Sequence, residues 1–334
     1  MIRGRRQVGR AEDHNVVPEV AVEDIDTRPE EMKAAATVDY EVGLESLSQY
    51  QLAWRKFKKH RLALVGLGIL AALFIIAIFG PFIWPFDFRT IPRPDKIVAI
   101  GRPPSLAHPF GETGGLQRDV LTLVVNGART SLFIGFDSML LGVFISTIIG
   151  AISGFIGGFT DNLLMRVVDV MLSLPLLFVI LVVANFLGGG KGSPLLVVLI
   201  FALFSWMGVS RLVRSLFLSI REREFVEAAR AVGVRDRRII FQHILPNALS
   251  PIIVAASLIV GANIIAEAFI SFLGFGVDPT QPTWGNILAN ARTFIPQGNW
   301  WWPFFSGAAI IVTVLAVNFV GDGLRDAFDP RSRA

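Results

Sequence analysis

Few residues in this chain are placed for covalent chemistry of their own. The four histidines, His14, His60, His108 and His243, are scattered, and no two have metal-ligand spacing. There is no cysteine, which excludes disulfides and thiolate metal sites. The stretch "GGGKGS" places a lysine after glycines, but a phosphate loop needs G-x-x-x-x-G-K-[ST] between a strand and a helix. Here Lys191 is followed by Gly192 between two apolar runs, and the reading is a flexible turn. What is concentrated instead is charge: "REREFVEAARAVGVRDRRIIFQHILPNALSP", 221–251, sets an arginine-rich segment between strongly apolar neighbours.

Inside that segment Phe225, Ala228, Ala229 and Val232 recur at i, i+3, i+4 and i+7, the spacing of one face of a short helix. Glu224, Glu227 and Arg230 lie off that stripe. Gly233 ends the helix, because glycine accepts the left-handed conformation of a C-terminal cap. Asp236 opens a second helix running toward Pro246, so the segment is a helix-turn-helix elbow. Three uses compete. A membrane-surface helix calls for bulkier apolar residues than alanine. A DNA-binding element fits the arginines but not a position clamped between membrane spans. Docking of a cytoplasmic partner fits best: alanines permit close approach, and flanking charges fix register.

The elements that position this elbow are long and apolar. Of 334 residues 53% are hydrophobic and 17% charged, and a helix needs about 20 mostly apolar residues to cross a bilayer. Six segments approach or meet that: Leu62 to Trp84, Leu132 to Gly157, Val167 to Leu187, Pro194 to Ser210, Pro246 to Val277 and Pro303 to Gly321. An all-α polytopic membrane protein follows. The first segment begins too far along, and runs too long, for a cleaved signal peptide.

Asp137, Asp169 and Glu267 are the only charges inside these runs, which makes them candidates for a pathway or gate. Plainer roles are an i,i+3 pair of Asp169 with Arg166, and headgroup water for Glu267. Pro175 is expected to bend the third span, and Gly150, Gly154 and Gly158 to admit a close helix neighbour.

Lys and Arg concentrate on one side. Seventeen of 31 flank the ends that an N-terminus-inside topology makes cytoplasmic, and eight lie in the outer loops. Both termini and the elbow are therefore expected on the cytoplasmic side. The net charge of +4 reads as topology, not as nucleic-acid affinity. Residues 1–48 read as a solvated, disordered tail, and 49–84 as a basic amphipathic lead-in with the first span. Trp54 and Phe57 of that lead-in suit the headgroup level. Residues 85–127 read as an extracytoplasmic loop broken by the prolines of "IPRPDK" and "GRPPS", 128–324 as the main transmembrane domain, and 325–334 as a cytoplasmic C-terminus. The tryptophans of "DPTQPTWGNILANARTFIPQGNWWWP" suit an aromatic belt.

"EAARAVG" followed by "LPN" resembles the EAA signature of permease subunits of bacterial ABC importers. The string "SRLVRSLFLSIREREFVEAARAVG" is similar to the dipeptide/oligopeptide/nickel branch, as are "RVVDVMLSLPLLF", "AEAFISFLGFGVDPTQPTWGNIL", "HPFG" with "RDVLTLVVNGARTSL", and "GDGLRDAFDP". The resemblance covers roughly 52–330. It departs at His243, where an apolar residue is usual, and at "GETGGLQRDV", which lacks the acidic residues of the usual "GTDDLGRDV".

The resemblance implies a six-helix type I ABC importer permease fold with the elbow as coupling helix. Phe225, Glu227, Ala228, Ala229 and Gly233 would then meet an ATPase subunit, and Leu245 and Pro246 would close the motif. It further implies a non-enzymatic subunit with no cofactor of its own, ATP acting on two partner ATPases. The other implied partners are a homologous second permease, an extracytoplasmic solute-binding protein and membrane lipid. The bacterial cytoplasmic membrane is the implied location. Di- and oligopeptides are the expected solutes, with nickel or another small solute as the alternative. An ion-coupled transporter would show a relay of buried ionisable groups and internal repeats. A receptor or scaffold is a third class, distinguished by the absence of ATP-dependent flux.

Overall fold

The computed structural model describes residues 49–84, 86–88, 101–189 and 192–328. The tail, "IPRPDK", Gly190 and Lys191 of "GGGKGS", and the last six residues lie outside them. Ten helices make up the described part: α1 Gln49–Lys59, α2 Arg61–Ile83, α3 Val120–Ile156, α4 Gly158–Ser173, α5 Leu176–Gly188, α6 Pro194–Arg221, α7 Glu224–Ala231, α8 Asp236–Phe272, α9 Trp284–Ala291 and α10 Trp301–Phe328. Five of them, α2, α3, α6, α8 and α10, are long and apolar enough to cross a membrane; α4 with α5 passes the same test only as a pair, as a broken span or a re-entrant loop.

That break is the bend expected at Pro175, and it is sharper than a bend. α4 and α5 meet at 86°, because Leu174 and Pro175 leave the helical region (ψ 140° and 96°) and proline disfavours helical geometry in the residue before it. Elsewhere the helices outrun the apolar windows. α3 begins at Val120, inside the stretch read as loop, because Asp119 caps it by accepting from Thr122 N (2.7 Å). Ser193 starts α6 in the same way, which continues past Ser210 to carry Arg211, Arg214 and Arg221.

α3 is the central element, packed on α2, α4, α6, α8, α9 and α10. It runs parallel to α6 and antiparallel to α8, and small residues set both contacts. A Cβ on Gly150 would lie 2.6 Å from Ser210 O and Val213 Cβ, and one on Gly154 2.7 Å from Arg214 O and Phe217 Cβ. Ser146 Oγ donates across the same seam to Trp206 O (3.0 Å). On the α8 side Gly135 lies against Ile264, and Asn263 Nδ2 donates to Ser138 Oγ (2.8 Å). Apolar surface gains nothing by leaving lipid for another apolar surface, so close backbone approach and interhelical hydrogen bonds hold such spans together. Gly158 plays no part in this seam. With Gly157 it forms the turn into α4, both at positive φ (71° and 59°), and nothing stands within 4 Å of the space its Cβ would take.

Two aromatic expectations change. Phe57 is buried against Ala63, Gly323 and Ala327 rather than placed at the headgroups, whereas Trp54 is exposed and stacks on it at 5.8 Å. Trp284, Trp301 and Trp302 are buried, leaving only Trp300 of that segment exposed. Trp284 Nε1 donates to Val124 O (3.1 Å) and Trp301 Nε1 to Glu112 O (3.0 Å). A ring that buries its body and satisfies its N–H is an anchor for the end of the bundle, not a belt.

The seam can be tested by size. Gly150→Leu should destabilise the purified protein by about 1–3 kcal/mol or more through overpacking. Gly208→Ala in α6, whose added Cβ meets nothing within 4 Å, should leave its thermal unfolding in detergent unchanged. Equal unfolding temperatures for the two variants would disprove the close contact.

Candidate functional site

The elbow has the predicted elements, and most of the stripe read for docking is open. α7 ends in two paired backbone bonds, Gly233 N to Arg230 O (2.9 Å) and Val234 N to Ala229 O (3.0 Å), with Gly233 at φ 77°. This is the left-handed glycine cap that the spacing predicts. Of the stripe Phe225, Ala228, Ala229 and Val232, however, only Ala229 turns inward. It is joined by Val226, fully buried among Val213, Phe217 and Ile220 of α6 and Ile239, Ile244, Ala248 and Ile252 of α8. Ala228 is exposed, as are Phe225 and Val232, at 41% and 80%. The short helix is therefore apolar on two sides, one locked to the bundle and one open. Glu224, Glu227 and Arg230 are exposed as well, and Arg230 lies over the Phe155 ring at 5.6 Å.

Leu245 and Pro246 are half-buried where α8 leaves the elbow. The turn before them, Ile239–Ile244, is wound as a π-helix, and Leu245 N bonds to Ile240 O. Pro246 has no N–H to offer the carbonyl four residues back and its ring crowds that carbonyl, so a wider turn relieves the mismatch. Phe225 also lines a cavity of ≈ 880 Å³ between α6, α8 and α10, shared with Arg223, Asn247 and Arg325.

Behind the elbow, arginines on α6 tie the neighbouring helices. Arg214 makes a two-pronged pair with Asp161 of α4, with Nη2 to Oδ2 at 2.6 Å, and Ser153 of α3 also donates to Asp161. Arg221 Nη1 donates to the carbonyls of Gly154 (3.2 Å) and Phe155 (3.0 Å), which end α3 with no helical partner. Asp169 pairs with Arg211, not with Arg166 in its own helix. Asp161 escaped sequence reasoning because it lies outside the apolar windows. The signal available was α6 itself, whose arginines at 211, 214 and 221 prolong an apolar run and need acceptors.

The pathway candidates are not brought together. Glu267 does not reach headgroup water: it is fully buried, accepting from Ser131 Oγ (3.1 Å) of α3 and from Ser271 Oγ (2.8 Å). It acts as a polar fastener at the end of the bundle away from the elbow. Asp137 is half-buried on α3 and, among the described residues, has no hydrogen-bond or ion-pair partner.

Two outcomes follow for these contacts. A double-mutant cycle of Asp161→Asn with Arg214→Gln should show a coupling of about 0.5–3 kcal/mol in unfolding; strictly additive effects would reduce the pair to a surface contact. Glu267→Leu should lower stability by about 1–3 kcal/mol by stranding the two serine hydroxyls, and Glu267→Gln by less. Unaltered unfolding in the leucine variant would remove Glu267 as a fastener.

Comparison with known proteins agrees with this architecture. The family model described as "Binding-protein-dependent transport system inner membrane component" matches residues 146–334. The one described as "N-terminal TM domain of oligopeptide transport permease C" matches 48–104. The dipeptide transport system permease protein DppC of Bacillus subtilis is 39% identical over 288 residues, 86% of this chain and 88% of that protein. The oligopeptide transport system permease protein OppC is 35% identical in B. subtilis, covering 87% of this chain and 93% of its own. In Haemophilus influenzae OppC is 36% identical, over 88% and 92%. This chain thus belongs to the inner-membrane components of binding-protein-dependent transport systems, as a multi-pass permease of the kind that DppC and OppC represent.

Proposed function

We propose that the chain forms half of the translocation pathway of an ATP-driven importer of di- and oligopeptides in the bacterial cytoplasmic membrane, with its elbow and both termini on the cytoplasmic side. The other half is a homologous permease. ATP is bound and hydrolysed on two separate ATPase subunits, since this sequence carries no phosphate loop. Solute arrives on an extracytoplasmic binding protein. The relatives named for dipeptide and oligopeptide transport support the solute class. The basic residues flanking the elbow support its cytoplasmic placement.

The observation that carries the coupling is the double-sided α7. Val226 and Ala229 lock it to α6 and α8, while Phe225, Ala228 and Val232 stay exposed beside Glu224 and Glu227. An ATPase cleft that receives the open side moves α7, and because its inner side belongs to the packed core, α6 and α8 move with it. α6 then carries α3 through the glycine seam and α4 through Asp161 and Asp169. A packed unit of this kind switches between discrete arrangements, so closure of the ATPases turns the pathway from inward-open to outward-open. Asp137, the acid on α3 without a partner among the described residues, is assigned to the wall of that pathway, and Pro175, which severs α4 from α5, to a hinge beside it.

Gly233→Arg tests the lever. It forces a side chain into φ 77°, a strain of roughly 1–2 kcal/mol, and sets a bulky cation beside the docking face. ATP-dependent peptide uptake should be lost while membrane levels stay normal. Phe225→Glu leaves the backbone alone and should cut uptake about tenfold or more, as loss of an interface anchor does. Normal uptake by both variants would sink the coupling role.

A further inference from the structure

At the end of the bundle away from the elbow lie two adjoining cavities that share Arg118, Thr280, Gln281 and Pro282. The first, of ≈ 570 Å³, is the more polar: Arg118 and Arg129 line it with Asn126, Thr130, Thr280 and Gln281, beside Phe88 and Pro282. The second, of ≈ 510 Å³, has an apolar wall that includes Leu116, Ile287 and Phe294. Among the described residues no carboxylate lines either one. Among the described residues neither Arg118 nor Arg129 has an ion pair; Nε of Arg118 is buried with no acceptor, and Arg129 is exposed. Trp302, in the wall of the second cavity, likewise keeps a buried Nε1 without a partner. Buried donors are rarely left so, because an unmade bond leaves the group's desolvation unrepaid.

The walls are fixed in advance. Arg118 sits in a tight hairpin closed by the bridge between Glu112 and Asp119. Thr113 N donates to Arg118 O (2.8 Å), and Arg118 N donates back to Thr113 Oγ1 (3.0 Å). Its neighbour Gln117 is buried with φ at 50°, a left-handed conformation that only a well-determined loop retains. Opposite, the amide nitrogen of Asn286 lies within 3.1 Å of the carbonyls of Val277, Asp278 and Gln281 and holds that strip in place. Arg129 projects from the first turns of α3, three residues after Asn126 and one before Thr130.

We infer that this cleft is a solute subsite, in which Arg118 and Arg129 take the free C-terminal carboxylate of a peptide and the adjoining apolar cavity takes its last side chain. The inference rests on the peptide reading above. Guanidinium forks match a carboxylate in two-pronged geometry, and among the described residues no acid lines the cleft to compete for them. Volume and concavity are those of a small-molecule pocket, whereas surfaces that receive a folded protein are broad.

The test uses the complete importer in proteoliposomes, supplied with saturating, peptide-loaded binding protein. Uptake of Ala-Ala-Phe is compared with that of its C-terminal carboxamide, for the unaltered importer and for Arg118→Gln and Arg129→Gln. The unaltered importer should favour the free acid, and each variant should reduce the acid-to-amide ratio of maximal uptake by about tenfold, the worth of one charged contact. An unchanged ratio in both variants overturns the subsite. A raised half-saturating concentration of binding protein at unchanged ratio overturns it too, and assigns the arginines to the binding protein's surface. If the unaltered importer moves neither peptide, the peptide reading itself fails. If it moves both equally well, only the subsite does.

Discussion

Lipid gives an apolar helix no incentive to leave it for another apolar helix, so α3 and α6 stay together only because Gly142, Gly150 and Gly154 let their backbones touch. Ser146 and the Asn263–Ser138 pair add the few polar contacts that hydrocarbon makes worth forming. Everything near the elbow depends on this seam. α7 is held by α6 and α8, and α6 in turn is held along its length by α3. Were the seam loose, force delivered at α7 would be spent in bending α6. The same need for close approach explains why the span with the most small residues sits at the centre, while the phenylalanines at 144, 178 and 186 face outward.

Charge completes what packing begins. The apolar part of α6 ends near Ser210, and beyond it Arg211, Arg214 and Arg221 each find an acceptor on a different stretch of α3 or α4. Arg211 and Asp169 meet at the surface, whereas the two-pronged Arg214–Asp161 pair is largely shielded and keeps directional strength. At the opposite end the fastening is Glu267, with serine hydroxyls in place of a cation. That end has an ion pair as well, Arg102 with Glu112 at 3.6 Å.

Much of this was legible in the amino-acid order, for reasons that differ between elements. The spans were, since twenty apolar residues in a row have few other uses. Their ends were not, because a single cap such as Asp119 or Ser193 adds turns that hydropathy does not see. The elbow was, through its glycine and its sudden charge, but which of its apolar residues lock it to the bundle was not. Val226 and Val232 are equally apolar, and only the packing of α6 and α8 decides that the first is buried and the second exposed. The pairings of Asp161 and Asp169 were invisible because their partners lie 53 and 42 positions away. The tryptophans at 284, 301 and 302 misled, since a ring suited to an interface is equally suited to a core, where those of 284 and 301 also find a carbonyl for their N–H.

Those long separations have a consequence in time. Synthesis proceeds at about 5–20 residues per second, so Asp161 and Asp169 emerge roughly 2 to 10 seconds before the arginines that neutralise them. Through that interval Asp161 and Asp169 lack the cations that pair with them in the finished protein, and α5, of 13 residues, is too short to cross the bilayer alone. This part of the chain is therefore expected to settle only once α6 has been made.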